Sequence, residues 1–299
     1  MAAVSLLLVG GCATVSGSGG GAAESPPQAV SVQEYETVLA GAVAPLDSAL
    51  RRLADASAYK GLEERVATVE TATDGAVVEL GKVTPPAELS SEHPELVSAL
   101  QTFQDELGEL SAQVNDRGLC TGSAVWTSLG NADGTTALRD ALAAVSAKLP
   151  DDPPALNLPS ARDKGGSRPP NGKFLRAGQR DGQGELTVDN GGSGDAVVTL
   201  SKGSKPAFSV YVRKAKRYTV KGVPDGSYTV FFTGGADWDG RARAFGRNCA
   251  FQRFEEPLKF RTTRAAGQVF YQAYRITLQP VAGGTAQTDD VDPNDFPNS

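Results

Sequence analysis

The N-terminal half of the chain repeats its apolar residues at intervals of three and four, the spacing of one face of an α-helix. These stripes run from Tyr35 to Leu53, from Leu62 to Val83, from Leu96 to Val114 and, less regularly, from Val125 to Leu149. The sequence Ser31-Val32-Gln33-Glu34 has the spacing of a capping box before the first stripe. Because Pro45 lies inside that stripe, we expect a kink or a break there. Four amphipathic helices with short connections predict an antiparallel bundle.

The C-terminal half changes to short runs of β-branched and aromatic residues separated by Gly, Asn, Asp and Pro. The runs are ELTVD at 185, AVVTL at 196, FSVYV at 208, YTV at 218, YTVFF at 228, FQRF at 251, LKFRT at 258 and YRITL at 274. The sequence from Val223 to Ser227, VPDGS, has the composition of a tight turn between two of them. Seven or eight strands at this spacing predict a β-sandwich. The predicted fold class is therefore α+β in two domains, an N-terminal antiparallel helical bundle followed by an all-β sandwich.

Charge divides the chain at the same place as the hydrophobic pattern. Residues 31–150 hold 8 basic and 18 acidic side chains, whereas residues 171–280 hold 18 basic and 9 acidic side chains. The piece between them is rich in Pro and Gly and is typical of a linker. We expect a signal peptide at 1–11, a flexible tether at 12–30, an acidic four-helix bundle at 31–149, a linker at 150–172, a basic β-sandwich at 173–281 and an acidic, solvated tail at 282–299.

The first residues indicate export. An apolar run from Ala2 to Val9 is followed by Gly10, Gly11 and Cys12. A run of eight residues is too short to span about 30 Å of hydrocarbon. The small residues before the cysteine resemble the lipobox of bacterial lipoproteins, and this resemblance implies removal of the leader and acylation of Cys12. We therefore expect a protein that its lipid holds on the extracytoplasmic face of the cell membrane.

Composition leaves little material for catalysis or metal binding. The chain has one histidine, three cysteines and one methionine, and His93 alone cannot form a multi-histidine zinc site. No serine lies in a G-x-S-x-G elbow, and the glycine-rich segments lack the preceding strand that nucleotide binding requires. Four aspartates near the C-terminus are interpreted as part of a solvated tail rather than a calcium site. We expect no enzymatic activity, no cofactor, no bound metal and no nucleic-acid partner.

The cysteines offer one structural prediction. If Cys12 is acylated, Cys120 and Cys249 remain, one in each predicted domain. Thiols oxidise outside the cytoplasm, so we predict an interdomain disulfide between them. Two buried, unpaired cysteines in separate cores are the alternative.

Basic residues are dense at two places in the predicted sandwich. They are Arg213, Lys214, Lys216, Arg217 and Lys221 around one turn, and Arg241 and Arg243 after a later strand. Such density attracts polyanions, and on an exported protein a cell-wall polyanion is a better partner than nucleic acid. The more economical interpretation is that this face docks on the acidic bundle of the same chain. Both interpretations stay open on the sequence alone.

The sequence Asp237-Trp238-Asp239 suggests a carbohydrate site, in which carboxylates flank a sugar that stacks on an aromatic ring. The same residue types suit a loop that joins two strands, and Trp238 could instead cover the end of the core. Carbohydrate binding, with processing less favoured, is therefore the first alternative function.

Two segments of the basic half carry a family resemblance: GELTVDNGGSGDAVVTL from Gly184, and SVYVRKAKRYTVKGVPDGSYTVFFTGGADWDGRARAF from Ser209. They resemble a β-sandwich module found at the C-terminus of bacterial lipoproteins. This module is similar in outline to transthyretin-like and carboxypeptidase-regulatory-like sandwiches, in which a small turn recurs before Gly-x-Tyr-x-Val. The excess of Arg over Lys, 18 to 11, is typical of high-GC genomes such as those of actinobacteria. The resemblance implies a sandwich fold and carries no catalytic residue.

These observations together predict a membrane-anchored cell-surface lipoprotein that is a non-enzymatic binding or structural component of the envelope. Its partners would be the membrane, through the lipid anchor, and a wall polyanion, a carbohydrate or another envelope protein. A sensor or partner subunit of an envelope complex is the second alternative.

Overall fold

A computed structural model of the chain describes residues 28–56, 59–150, 155–161, 168–279 and 286–297. The predicted signal peptide, Cys12 and nearly all of the predicted tether lie outside the described residues. Among the helices within them, none is long and apolar enough to cross a bilayer.

The described N-terminal half forms five α-helices. They are α1 (Val32–Ala54), α2 (Leu62–Gly81), α3 (Glu92–Asn115), α4 (Gly122–Gly130) and α5 (Asp133–Ser146), with a short 3₁₀ turn at Ala87–Leu89. Helix α2 packs on α1 and α3, and α3 also packs on α5. The prediction of one helix from Val125 to Leu149 is wrong. The helix is interrupted after Gly130, which leaves a short α4 and a longer α5. The predicted apolar stripes form one continuous core within this bundle.

Local sequence accounts for the course of α1. The side chain of Ser31 accepts a hydrogen bond from the amide of Glu34 at 3.2 Å, as the capping-box spacing predicts. The helix runs through Pro45 without ending, so the predicted break does not occur. Pro45 has no amide proton to donate to the carbonyl of Gly41, four residues earlier. Gly41 is exposed, so water can donate a hydrogen bond to that carbonyl instead.

The described C-terminal half is composed of strands. They are β1 (Phe174–Arg176), β2 (Gly184–Asn190), β3 (Asp195–Lys202), β4 (Lys205–Val212), β5 (Lys216–Val223), β6 (Gly226–Asp239), β7 (Ala244–Phe254), β8 (Leu258–Phe260), β9 (Thr263–Ala265), β10 (Gln268–Phe270), β11 (Ala273–Thr277) and β12 (Thr288–Asp290). Each of the eight predicted runs overlaps a strand. The short strands β1, β9, β10 and β12 are additional to the prediction.

Two sheets face each other. The larger has the order β1-β4-β3-β6-β7-β12, with β8 pairing beside β6, and its pairings are antiparallel. The smaller has the order β11-β2-β5, in which β11 runs parallel to β2. Leu186 and Val220 from the smaller sheet and Phe208 and Val230 from the larger sheet belong to one buried cluster. The predicted fold class, a helical domain followed by a sandwich-like β domain, is confirmed.

The larger sheet is also covered on its outer face. Seven consecutive residues of β3, Asp195–Ser201, are buried, which requires cover on both sides of the strand. The outer cover is a second cluster that includes Trp238 and Phe251 of the sheet, Tyr59 of the bundle and Phe296 of the C-terminal segment.

The C-terminal segment differs from the predicted solvated tail over residues 286–297. Strand β12 pairs with β7, and Arg253 forms an ion pair with Asp289 at 3.1 Å. Phe296 packs edge-on against Phe251 with ring centroids 5.3 Å apart. An acidic segment packs here because β7 offers an open edge and a basic side chain, and because Phe296 buries apolar surface.

Candidate functional site

The two domains meet where the chain leaves α3. Residues 117–120 pair with β7 through an antiparallel bridge between Leu119 and Arg247. The amide of Cys120 donates to the carbonyl of Gly246 at 2.8 Å, and the amide of Asn248 donates to the carbonyl of Gly118 at 3.1 Å. The bundle thus covers one part of the β7 edge and β12 covers another, which protects an edge that would otherwise pair with other chains. We call this contact, formed by residues 117–124 and 237–251, the seam.

A disulfide crosses the seam. Cys120 and Cys249 are joined, with their Cα atoms 6.4 Å apart, and are 129 positions apart in sequence. Both residues are buried. The predicted interdomain disulfide is confirmed, and the alternative of two unpaired cysteines is wrong.

Helix α4 contributes polar contacts to the seam. The side chain of Thr121 caps α4 by accepting a hydrogen bond from the amide of Ala124 at 3.3 Å. The hydroxyl of Ser123 donates to the carboxylate of Asp239, which also accepts from the amide of Arg241 at 2.8 Å. Burial alone would raise the pKa of Asp239, but these hydrogen bonds outweigh it and lower the pKa. Asp239 therefore remains ionised and joins the turn after β6 to α4.

Backbone strain concentrates at the seam. Among the described non-glycine residues, six have positive φ, and four of these are Arg117, Asp237, Arg243 and Asn248, with φ between 51° and 59°. Such conformations cost on the order of 1–3 kcal/mol each and persist where the surroundings hold them. The disulfide and the paired backbone supply that constraint.

A cleft of about 300 Å³ lies in the sandwich beside the seam. At its centre, Arg168 donates two hydrogen bonds to the carboxylate of Asp195, at 2.7 and 2.8 Å. The hydroxyl of Tyr211 and the amide of Lys214 donate to the same carboxylate at 2.6 and 2.8 Å. Burial would raise the pKa of Asp195, but these four hydrogen bonds lower it to about 2. Burial and the adjacent carboxylate both raise the pKa of Tyr211, so the phenol stays protonated.

The carbohydrate prediction is corrected by the position of Trp238. This residue is 3% exposed, and its ring packs edge-to-face on Tyr211 and Phe245, with centroids 5.5 and 5.1 Å away. A buried ring offers no open face on which a sugar can stack. Asp237 forms an ion pair with Arg247, and Asp239 bonds Ser123, so the two aspartates stabilise the turn and the seam. Trp238 belongs to the buried cluster on the outer face of the sheet, which residues of the bundle and of the C-terminal segment also join.

The predicted basic residues form two groups with different surroundings. Arg213 donates to the carbonyls of Pro169 and Arg168, Arg217 pairs with Asp189, and Lys221 lies 3.8 Å from Glu185. Lys214 lines the cleft, Lys216 is exposed at the start of β5, and Arg241 and Arg243 are exposed in the turn after β6.

With Arg243 left aside, no ion pair between described residues joins the basic face to the acidic bundle. Leaving Arg243 aside, every ion pair between described residues lies within the bundle or within the sandwich and its flanking linker. Paired backbone, a disulfide and the Ser123–Asp239 hydrogen bond hold the seam instead. Lys214, Lys216 and Arg241 therefore make no ion pair with the described residues of the bundle.

The chemistry of the cleft favours binding over catalysis. Asp195 and Asp237 each have a guanidinium partner, and the pKa of Asp195 is too low for a general base near neutral pH. Lys214 is exposed and makes no ion pair with any described residue. The cleft thus presents a net positive edge that suits an anionic group.

Sequence reasoning missed Arg168 and Asp195, the central pair of this cleft. Arg168 lies in the predicted linker, and Asp195 follows a Gly-rich turn, so both have the composition of loops. The one signal was Asp195 at the start of the apolar run AVVTL, where an acidic residue requires a partner if the strand is buried.

Comparisons of the chain with protein-family models, with curated proteins and with solved structures found no match. The likeness of the sandwich to a module of bacterial lipoproteins stays a prediction from the residues quoted above.

Proposed function

We propose that this chain is an extracytoplasmic lipoprotein, acylated at Cys12, that acts as a non-enzymatic binding component of the cell envelope. The observation that carries the proposal is the disulfide between Cys120 and Cys249, which joins two separately cored domains. Disulfides of this kind persist in oxidising compartments and are rare where thiols are kept reduced. A leader with small residues before Cys12 supplies both the export route and the anchor.

Fractionation of cells tests the anchor. The wild-type chain should partition with membranes and incorporate labelled fatty acid, whereas Cys12→Ser should lose the label. Cys120→Ser with Cys249→Ser is the matched control, because it removes two cysteines and keeps Cys12. An unlabelled wild-type chain in the cytosol with its first eleven residues retained would contradict the proposal.

The partner proposed for the basic sandwich is a phosphate-rich polyanion of the cell wall. Lys214 and Lys216 are exposed, make no ion pair with described residues, and flank the turn between β4 and β5 beside the cleft. Clustered exposed charge raises the local concentration of oppositely charged ligands. Because neither lysine pairs with a described residue of the bundle, the turn between β4 and β5 is available to an external ligand.

Sedimentation of the lipid-free chain with isolated cell walls tests this partner. Binding should decrease steeply with salt, since exposed attractions are screened beyond about 8–10 Å at ordinary ionic strength. Lys214→Gln with Lys216→Gln should weaken binding, whereas Lys60→Gln, at an exposed position of the bundle, should leave it unchanged. Salt-insensitive binding, or equal binding by both variants, would refute the polyanion. Retention of a single envelope protein in place of walls would favour the partner-subunit alternative.

A further inference from the structure

The hairpin formed by β9 and β10 is separate from both sheets. Among the described residues its strands pair only with each other, and the two-residue turn at Ala266-Gly267 has positive φ at both positions. This geometry is that of a tight hairpin turn. All eight residues from 263 to 270 are exposed, so the hairpin projects from the domain.

Apolar side chains are concentrated on this projection. Four large hydrophobic residues are strongly exposed among the described residues, and three of them are consecutive: Val269 at 44%, Phe270 at 53% and Tyr271 at 45%. The fourth, Val78, lies alone on α2 at 46%. Single exposed hydrophobic residues are ordinary, whereas a contiguous group marks an interaction surface.

The two faces of the hairpin decide the kind of partner. Successive strand residues point to opposite faces, so Val269 and Phe270 project on opposite sides of the ribbon. A protein surface covers one face of a ribbon and leaves the other in water. The interfacial region of a bilayer surrounds a ribbon that enters it, so both side chains lose contact with water there.

The segment that carries the hairpin is basic. Residues 257–279 contain Lys259, Arg261, Arg264 and Arg275 and no acidic residue. Arg275 is paired with Asp189 at 2.7 Å, whereas the other three are exposed and make no ion pair with described residues. The nearby carboxylate of Asp225 accepts two hydrogen bonds from Thr262 and lies close enough to Arg261 for that guanidinium to lower its pKa. Positive side chains beside exposed aromatic residues are the pattern of interfacial membrane contact.

The hairpin lies at the end of the sandwich opposite to the seam. Strand β8, which leads into it, pairs with β6 at Gly226–Tyr228, whereas the seam lies at Asp237–Asp239 of the same strand. About eleven residues at ~3.3 Å each separate the two places by roughly 35 Å. The hairpin can therefore touch a surface without disturbing the interdomain contact.

We propose that the β9–β10 hairpin, with Tyr271, inserts into the interfacial region of an anionic bilayer and forms a membrane contact in addition to the lipid anchor. Phe270 and Val269 enter the boundary between headgroups and acyl chains. Tyr271 lies at headgroup level, and Lys259, Arg261 and Arg264 contact anionic headgroups. The proposal deepens the membrane location of the proposed function but does not require acylation of Cys12.

Vesicle co-sedimentation tests the hairpin with the chain from Ala13 to Ser299, which cannot be acylated at Cys12 and keeps every described residue. This chain should bind vesicles of phosphatidylcholine with phosphatidylglycerol more tightly than phosphatidylcholine alone. Val269→Ser with Phe270→Ser should weaken binding to the anionic vesicles at least tenfold, a change of about 1.4 kcal/mol. Arg264→Gln should weaken it about fivefold, since a basic residue near an anionic surface contributes about 1 kcal/mol.

Val78→Ser is the matched control, because it removes an equally exposed hydrophobic residue from the bundle. It should leave vesicle binding unchanged, and circular dichroism of each variant verifies that it is folded. Equal binding by the wild-type chain and the folded hairpin variant, or no vesicle binding by the wild-type chain, would overturn the proposal. Hairpin-dependent capture of a protein without vesicle binding would also overturn it and assign the hairpin to a protein partner. Loss of acylation in the Cys12→Ser test affects none of these outcomes.

Discussion

Removal of the interdomain disulfide should uncouple the two domains. In the variant Cys120→Ala with Cys249→Ala, the seam keeps the backbone pairing of residues 117–120 with β7 and the hydrogen bond from Ser123 to Asp239. Each domain keeps its own buried core. We therefore expect a folded variant in which one domain can unfold while the other remains native.

The magnitude follows from the length of the closed loop. The bridged cysteines are 129 residues apart, and closing such a loop in the unfolded chain is worth about 5 kcal/mol by the chain-entropy relation. Measured values are commonly about 2–4 kcal/mol, because the unfolded state retains structure. The free energy of unfolding of the double variant should therefore be about 2–4 kcal/mol lower than that of the disulfide-bonded chain.

Tryptophan positions provide an assay for each domain. Trp126 lies in α4 of the bundle, and Trp238 is buried in the sandwich. In a Trp126→Phe background, fluorescence reports the sandwich through Trp238. Far-UV circular dichroism reports mainly the bundle, since the α-helices of the described residues all lie there. The two urea unfolding curves should overlay in the oxidised protein and separate in the double variant.

A Cys12→Ala variant of the same background is the control, since it removes a cysteine and keeps the bridge. Overlaid curves with an unchanged midpoint in the Cys120→Ala, Cys249→Ala protein would show that the bridge neither stabilises the domains nor couples them. The reasoning from loop length would then be refuted.

Four further changes test local features. Gly122→Ala should cost about 1–3 kcal/mol, because a β-carbon there would lie 2.1 Å from the carbonyl oxygen of Ala56. Gly75→Ala, with no atom within 4 Å of its new β-carbon, should stabilise α2 by up to about 1 kcal/mol in the same urea assay. Asp195 has a pKa of about 2 in the folded state against an ordinary 3.8. Its ionisation therefore contributes about 2 kcal/mol to the free energy of unfolding, and this contribution should be lost as pH falls from about 4 to 2. Asp195→Asn should lack this loss when unfolding free energies are compared across that range. Burial lowers the pKa of His93 from 6.5, so the unfolded state takes up a proton at a higher pH than the folded state. The free energy of unfolding should therefore decrease below about pH 6.5. His93→Gln should remove this decrease when urea titrations are compared across that pH.

The sequence predicts the fold well where burial imposes a period. Every apolar stripe of the bundle and every β-rich run of the sandwich corresponds to an observed element, because each element buries one face or both. Strand β12 escapes prediction because Thr288–Asp290 is polar and pairs through its backbone with an open edge. The hairpin of β9 and β10 escapes because its residues are all exposed and therefore carry no burial pattern.

The site is less predictable than the fold because it depends on which surfaces meet. The disulfide could be predicted because only Cys120 and Cys249 remain once Cys12 is assigned to the lipid. The burial of Trp238 could not, because it depends on packing against Tyr211 and Phe245, which lie in other strands. The same holds for Asp195, whose partner Arg168 lies in a segment with the composition of a linker.

The opposed ends of the sandwich give a final prediction. Lys214 follows β4, and the last residues of β4 pair with the start of β3. The start of β3 also pairs with β6 at Gly235, close to the seam. The basic cleft and the seam therefore lie at the same end of the sandwich. The hairpin leaves the other end, near Gly226. A sandwich held to a bilayer by its hairpin would therefore present the cleft and the bundle roughly 35 Å from the membrane, towards the wall. Val269→Ser with Phe270→Ser should then weaken vesicle binding and leave wall binding intact, and Lys214→Gln with Lys216→Gln should do the reverse. If either double variant weakened both kinds of binding to the same extent, one surface would serve both ligands and the assignment of two ends would be wrong.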